Sequence, residues 1–447
     1  MSSLNQYIDL FHAQRTAIDG GSCAPMNARR EAALQVLKDK GLPTQKTEQY
    51  KYTDTETAFA PDYGLNLHRA AIGIDPYATY RCNVPNLSTS LYFVVNDTPC
   101  PFENKTAPLA EGVVVMSLCQ AAIEMPGLIE KYYHSAAEKS NDAVAALNTL
   151  LAQDGLFVYL PQGACPKHPV QIVNVSVAET PVMSNRRVLV VADKEAEATL
   201  LFCDHTIGKQ RCLSTQVIEI FADEMAKINV FSIEETTSSN VRFNNVYVEQ
   251  QAGSRVISNG VVLNCGLTRN TMEFRLLGTG AQMETNGAVI TDETQHVDNN
   301  VLADHVAPNC TSDMLYKYVL DGRSTGAFAG KVLVRTDAQK TVSQQTNANL
   351  CASPQARVYS QPMLEIYADD VKCNHGSTIG KLDENALFYM RQRGVPEAEA
   401  RLLLQHAFIN DVLQRVTLEH LRDRLSHLVE LRFRGELSKC RDCKMCR

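Results

Sequence analysis

Arg187–Phe231 reads RVLVVADKEAEATLLFCDHTIGKQRCLSTQVIEIFADEMAKINVF, and it decides the fold. Four short apolar runs stand in it: Arg187–Val191, Thr199–Cys203, Gln216–Phe221 and Lys227–Phe231. Each is too short for a helix, and Asp, Gly or Ser lies between neighbours, so each reads as a strand ended by a turn. The same grammar extends outward to Gln171–Val177, Asn245–Glu249, Gly260–Leu263, Ala288–Ile290, Tyr316–Leu320, Lys331–Arg335 and Met363–Tyr367. Helical spacing is nearly absent from Gly155 to Val371. Small residues precede many strands: Ala196, Ala226, Ala252, Ala281, Gly326 and Ala356. The first four recur at the interval of a solenoid coil. Paired hairpins would need tight turn signals, and only Asn259-Gly260 and Asn286-Gly287 are clear ones. The residues favour a mainly-β solenoid, with a sandwich or barrel as the alternative.

Helical patterns flank this core. Leu4–Ile18 and Pro25–Lys40 carry helical spacing, the second stopped by Gly41-Leu42-Pro43. A compact charged and aromatic motif follows, Thr47–Thr53 (TEQYKYT), then extended runs at Ser90–Asn96 and Gly112–Leu118 and a helix over Asp142–Gln153. At the other end, Asp383 is a helix N-cap with Glu384 in the first turn and Gly394 as the stop. Pro396 opens a second helix, and a third runs from Leu418 to about Phe433. Three helices of this size are expected to pack on the solenoid end or on another protein. The division expected is 1–154 (N-terminal mixed region), 155–371 (β core), 372–435 (C-terminal helical region) and 436–447 (Cys-rich tail).

The net charge of −7 argues against a nucleic-acid-binding surface. Met1–Asp19 is amphipathic rather than a signal peptide, and no run approaches the length of a membrane span. These features point to the cytoplasm, where most of the 14 cysteines are expected as reduced, packed thiols.

Gly326–Val332 (GAFAGKV) looks briefly like a Walker A loop. It is one residue short, lacks Ser or Thr after Lys331, and leads into a strand. Gly278-Thr279-Gly280 lacks a third glycine. No nucleotide site is read in the chain. His205 and His305, beside Asp204 and Asp304, are expected as surface or turn histidines, since a sequence neighbour on a strand points to the opposite face.

The chemistry-bearing pattern is Cys373-Asn374-His375, at the end of a strand-like run and just ahead of a helix. Residues i and i+2 of a strand share a face, so thiol and imidazole would both reach one soft or borderline metal. Two ligands do not close a site. The alternative is a packed cysteine beside a histidine bonded to backbone. The tail carries Cys440-x2-Cys443-x2-Cys446 with interleaved Arg441, Lys444 and Arg447, a spacing used by zinc and iron–sulfur sites, or else a redox-labile terminus.

Lys331–Leu350 (KVLVRTDAQKTVSQQTNANL), Leu364–Gly376 (LEIYADDVKCNHG) and Leu382–Gly394 (LDENALFYMRQRG) closely resemble the SufB/SufD family, the scaffold subunits of the Suf iron–sulfur cluster assembly machine. Glu48–Thr53 (EQYKYT) resembles the family's N-terminal motif, and Asp370–Gly376 looks like the SufD branch. The resemblance implies a parallel β-helix between helical regions. It also implies a non-catalytic scaffold in a complex with SufB and the ATPase SufC, joined to SufB at the end of the β-helix. It carries to His375, and less clearly to Cys373, the holding of a nascent cluster shared with SufB. Docking of SufC falls to the C-terminal helices, with Asp383, Phe388, Tyr389 and Arg393 as candidates. The Cys440–Cys446 tail is not part of the pattern. A flavin belongs to such complexes, if anywhere, at the level of the complex. The isolated chain could pair with itself through the edge meant for SufB. The competing classes are a β-helix enzyme such as a polysaccharide lyase, and a solenoid with no cluster chemistry.

Overall fold

The computed structural model describes residues 3–65, 67, 76, 87–100 and 107–437. The strands follow one another as β1 (Gly64–Leu65), β2 (Ser90–Val95), β3 (Thr98–Pro99), β4 (Val114–Ser117), β5 (Leu156–Leu160), β6 (Val170–Ala178), β7 (Val182–Ala192), β8 (Glu197–Gly208), β9 (Cys212–Ala222) and β10 (Lys227–Glu235). The series continues as β11 (Asn240–Gln250), β12 (Arg255–Asn264), β13 (Leu267–Leu276), β14 (Gln282–Thr291), β15 (His296–His305), β16 (Thr311–Leu320), β17 (Thr325–Val334), β18 (Val342–Cys351), β19 (Arg357–Ile366) and β20 (Lys372–Gly380). From β5 on, odd strands stack on odd and even on even, all in parallel; with β1–β4 included, each of the two sheets has ten strands. This is a two-sheet parallel β-helix, the solenoid expected from the short runs, and the Asn259-Gly260 and Asn286-Gly287 pairs lie inside strands β12 and β14 rather than in hairpins.

The physical reason is visible in one column of turns. Ala196, Ala226, Ser254, Ala281, Cys310 and Thr341 each end a turn, and the carbonyl of each accepts the first backbone N–H of the strand one coil further on. All six are buried, so only small side chains fit. The expected register of small residues is therefore real but shifted in places. Ser254 takes the position expected for Ala252, Gly326 lies inside β17, and Ala356 belongs to the turn on the other side. The turns bend through left-handed residues at Glu195, Met225, Gly253, Gly280, Asn309 and Lys340.

Alternate residues of both sheets meet in one interior core, with Val190, Ile220, Val248, Phe274 and Val332 on one wall and Leu200, Ile228, Val256, Met283 and Tyr318 on the other. The outer faces are covered too, which is why the strands read as almost continuous apolar runs. Helix Ala143–Leu151, buried along its whole length, and helices Ser3–Gly20 and Arg30–Lys40 lie on the odd sheet against Met183, Leu213 and Phe243. Helices Glu397–Leu413 and Glu419–Arg434 lie on the outer face of the even sheet. There Ile409, Val412, Leu421, Leu425 and Val429 meet Leu201, Phe231, Val261 and Ala288. This corrects the expectation that the C-terminal helices pack on the solenoid end: they cover its flank. Arg432 bonds the Leu263 carbonyl (2.5 Å) and Asp292 (2.8 Å), and Arg415 bonds Asp313 (2.6 Å), fixing them there. Among the described residues, no helix is long and apolar enough to cross a membrane.

His205 and His305 are not surface histidines. Both are buried at the ends of β8 and β15. Their acidic neighbours turn the other way and serve other partners: Asp204 pairs with Arg186 (3.2 Å) and Arg242 (3.0 Å), and Asp304 with Arg335 (2.9 Å). Burial brings His305 down to about 4 and His134, also repelled by Arg187, to about 3. The unfolded chain holds these protons near the ordinary value of about 6.5, so it binds more protons than the native state below that pH. Stability is therefore expected to fall as pH drops from about 6.5 towards 4, by about 1.4 kcal/mol per pH unit for each histidine. Urea midpoints at pH 7.5, 6 and 5 check this, and His305→Gln should remove one histidine's share of the slope. An unchanged slope in that variant would count against it.

Candidate functional site

The two ends of the solenoid differ. At the first, β3 folds back antiparallel on β2, and β4 antiparallel on β5. At the last, among the described residues, β20 pairs only with β18, and β19 only with β17. Their outer edges leave two rows of backbone N–H and C=O side by side. Exposed apolar side chains surround them: Tyr359, Ile366, Tyr367 and Ile379.

Cys373 and His375 stand on β20, the terminal strand of the even sheet. The register decides where they point. Cys373 pairs with Ser343 and His375 with Gln345, and both Ser343 and Gln345 are buried interior positions. The thiol and the imidazole thus belong to the inward-facing column. Cys373 packs against the interior core, while His375 is exposed, with no further coil over it among the described residues. Ser377 continues the same column and bonds Ser360 of β19 (2.7 Å), tying the two terminal strands across the open end. Burial raises the Cys373 thiol, partly offset by a backbone hydrogen bond from Ser343. Released to water at pH 7 it is a thiol, and a metal would have to displace its proton.

Two supports lie directly beneath. Gln345 donates to the Gly330 carbonyl (3.1 Å), and a Cβ at Gly330 would stand 2.0 Å from Gln345 Nε2. The glycines of the Walker-like Gly326–Val332 stretch therefore serve packing inside β17, where Gly326 faces Tyr318 and Gly330 faces Gln345. Below Cys373, Ser343 bonds Ser312 (2.7 Å), which meets His305 Nε2 (2.9 Å). A buried polar file ends under the thiol. Sequence reading missed it because its members are far apart in the chain.

Among the described residues, no group of three or more His, Cys, Asp or Glu side chains is gathered to hold a metal ion. Cys373 and His375 stand two apart on the terminal strand. The tail cysteines Cys440, Cys443 and Cys446 lie outside the described residues.

Behind the site, helix Glu384–Gln392 begins four residues after β20. Asp383 caps it, its Oδ1 accepting from Asn385 (2.8 Å) and Ala386 (3.2 Å). Only Leu387 of this helix is buried. Phe388 and Tyr389 are 62% and 59% exposed, and the Arg393 guanidinium lies over the Tyr389 ring at 5.1 Å. The structure thus brings Cys373 and His375 together and sets Phe388, Tyr389 and Arg393 on a separate, outward-facing helix.

Residues 174–408 match the family described as "SUF system FeS cluster assembly, SufBD core domain", and residues 1–172 match the "SufBD protein N-terminal region". The chain belongs to the SufB/SufD family. Among its relatives, an iron–sulfur cluster assembly SufBD family protein of Synechocystis is 26% identical over 428 residues, covering 94% of each chain. The iron–sulfur cluster assembly protein SufD of Escherichia coli is 25% identical over 447 residues, covering 97% of each chain. That of Bacillus subtilis is 23% identical over 411 residues, covering 90% of this chain and 92% of the relative. This SufB/SufD-family member is SufD-like, and its family places it in iron–sulfur cluster assembly.

The N-terminal motif of this SufB/SufD-family chain lies against the odd sheet. The Arg269 guanidinium stands 4.5 Å over the Tyr50 ring and donates to the Gln49 carbonyl (2.6 Å). Thr53 donates to Asp298 (2.6 Å), and Tyr50 to Asp142 (2.7 Å), the cap of the buried helix. Tyr52 stacks on Tyr359 of β19 with ring centres 4.5 Å apart. The motif thus reaches from the N-terminal helices to the terminal coil that carries the site.

Proposed function

We propose that this chain is the SufD-type subunit of a complex with SufB and SufC, acting in the cytoplasm as a scaffold rather than a catalyst. The open terminal coil is the seam with SufB. The nascent cluster is cargo held there by His375, with Cys373 as second donor and the remaining ligands from SufB. What carries this reading is the placement of both side chains in the inward column of a coil whose two edges are unpaired among the described residues. Strand addition at such an edge supplies affinity through the backbone, and the apolar rim of Tyr359, Ile366 and Ile379 supplies packing. The test is co-purification with SufB and SufC, followed by iron and acid-labile sulfide analysis. Iron and sulfide present with SufB and lost without it are expected; a complex that forms but never carries either would leave only a solenoid without cluster chemistry.

Of the expected 372–435 region, the helical part from Asp383 on is assigned to SufC docking, with Phe388, Tyr389 and Arg393 as the contact surface and Asp383 as the cap that holds their helix, because residues 372–380 form β20. ATP hydrolysis belongs to SufC, and any flavin to the assembled complex. Because the docking helix begins four residues after β20, movement of SufC pulls on the strand that carries His375. Phe388→Asp with Tyr389→Asp is expected to weaken SufC retention by about tenfold or more, since exposed aromatics at an interface centre dominate its energy. SufB pairing should be unaffected. Unchanged SufC retention would remove this surface from the assignment. The same open edge admits pairing of the isolated chain with itself, and sedimentation of the chain with and without SufB distinguishes the two pairings.

A further inference from the structure

One column on the inner wall of the even sheet is almost without side chains. The registers place Phe202, Ser232, Gly260, Gly287 and Tyr316 one above another on β8, β10, β12, β14 and β16. Two rings stand at its ends and three of the smallest residues between them. The column faces inward, since Val230 and Val262, two positions from Ser232 and Gly260, belong to the interior core. Yet Ser232, Ser258 and Gly260 are not fully buried. They border a cavity inside the solenoid that offers about 50 Å³ to the centres of water molecules. Across it, on the odd sheet, stands a ladder of amides, with Gln216, Asn244, Asn270 and Asn299 in register on β9, β11, β13 and β15. Asn244 donates to Asn270 (3.3 Å), and Asn270 to Asn299 (2.8 Å). The ladder leaves polar atoms over. Gln216, Asn244 and Arg242 border the cavity and are 1%, 8% and 4% exposed. Among the described residues, Gln216 Nε2, Asn244 Oδ1 and Arg242 Nε have no partner. Buried polar groups in folded proteins are met by a partner, and here the cavity is where one fits.

We propose that this chamber is a water-binding site, in which a short file of ordered waters lies between the amide ladder and the column of Ser232, Gly260 and Gly287. The chemistry of the walls selects the occupant. Gln216 Nε2 and Arg242 Nε donate, Asn244 Oδ1 accepts, and the Ser232 and Ser258 hydroxyls do either. Only a molecule that both accepts and donates meets all of them. It is also uncharged. Asp204 and Glu234 border the cavity, and both would repel an anion. A cation would compete for carboxylates already held by arginines: Asp204 by Arg186 (3.2 Å) and Arg242 (3.0 Å), and Glu234 by Arg242 (3.4 Å). A water needs about 10–15 Å³ of such space, so about three to five fit. The glycines keep that space open. A Cβ at Gly260 would stand 3.1 Å from Ser232 Oγ, and one at Gly287 would stand 2.4 Å from the Tyr316 ring. The waters give the buried cluster of Arg186, Asp204, Arg242 and Glu234 one hydrated side within the core.

Crystals of the full-length protein, measured before and after pressurising with xenon, test this. Ordered water is expected between Gln216 Nε2 and Asn244 Oδ1, which stand on neighbouring rungs about 4.8 Å apart. No xenon should enter, because the gas occupies dry apolar voids. In solution, magnetic relaxation dispersion of the solvent counts long-lived waters. Gln216→Met with Asn244→Leu presents apolar groups in similar space, so it should lose about three or more of them and admit xenon. Ser258→Val, which leaves the ladder intact, should lose at least one. Should the double variant fail to fold, the native crystal and Ser258→Val still decide. Xenon in the native chamber, a native chamber without ordered water, or an equal count of long-lived waters in the native protein and Ser258→Val would overturn the proposal.

Discussion

Replacing His375 by alanine is expected to lower the iron and acid-labile sulfide carried by the complex with SufB and SufC by about 10- to 100-fold, the range for loss of a metal-binding contact. Assembly of the complex itself should survive. His375 is exposed, and its side chain is not part of the packing that holds β20 to β18, which rests on backbone pairing from Lys372 to Gly380. The backbone edge offered to SufB is unchanged by the substitution. Cys373→Ser is expected to cost less if the histidine is the principal donor, because Cys373 is partly packed against the interior core and its thiol is raised by that burial. Ile379→Lys acts differently. It places a charge on the rim of the seam, so it should weaken SufB pairing first and cluster content only as a consequence. Equal cluster content in wild type and His375→Ala would end the role given to the histidine.

Arg269→Met is expected to destabilise the fold by about 3–5 kcal/mol, measured as a lowered urea midpoint. Arg269 is 1% exposed and Asp298, 2.7 Å away, is 2% exposed. Without the guanidinium, Asp298 loses its ion pair and keeps the Thr53 hydroxyl, and the Tyr50 ring loses the cation above it. The double variant Arg269→Met with Asp298→Asn should recover part of the loss, giving a coupling of about 1–3 kcal/mol, since no buried charge is then left alone. Additive losses would mean that the two side chains do not act as a pair. The N-terminal motif should also loosen in the single variant, and tryptic cleavage after Lys51 reports it.

Much of this was legible in the sequence for definite reasons. The strands show because each coil of the solenoid is built from short local runs, and the Cys373–His375 pair shows because side chains two apart on a strand share a face. What was not legible depends on which coil lies over which. Ser254, Cys310 and Thr341 fill the small-residue column with residues that no apolar pattern marks. His305 is buried because its strand end is closed in by neighbouring coils, and Gly330 is a glycine because Gln345 of the next coil needs its space. The helices after Pro396 show their apolar stripes, but a stripe does not say whether it covers an end or a flank.

The central claim is that the uncovered coil of β19 and β20 is the surface that meets SufB. Hydrogen–deuterium exchange of the full chain with and without SufB tests it most directly. The account predicts that amides of Arg357–Ile366 and Lys372–Gly380 slow by about tenfold or more when SufB is added, while those of β5 and β6 at the other end are unchanged. SufB binding with unchanged exchange in β19 and β20 would contradict it.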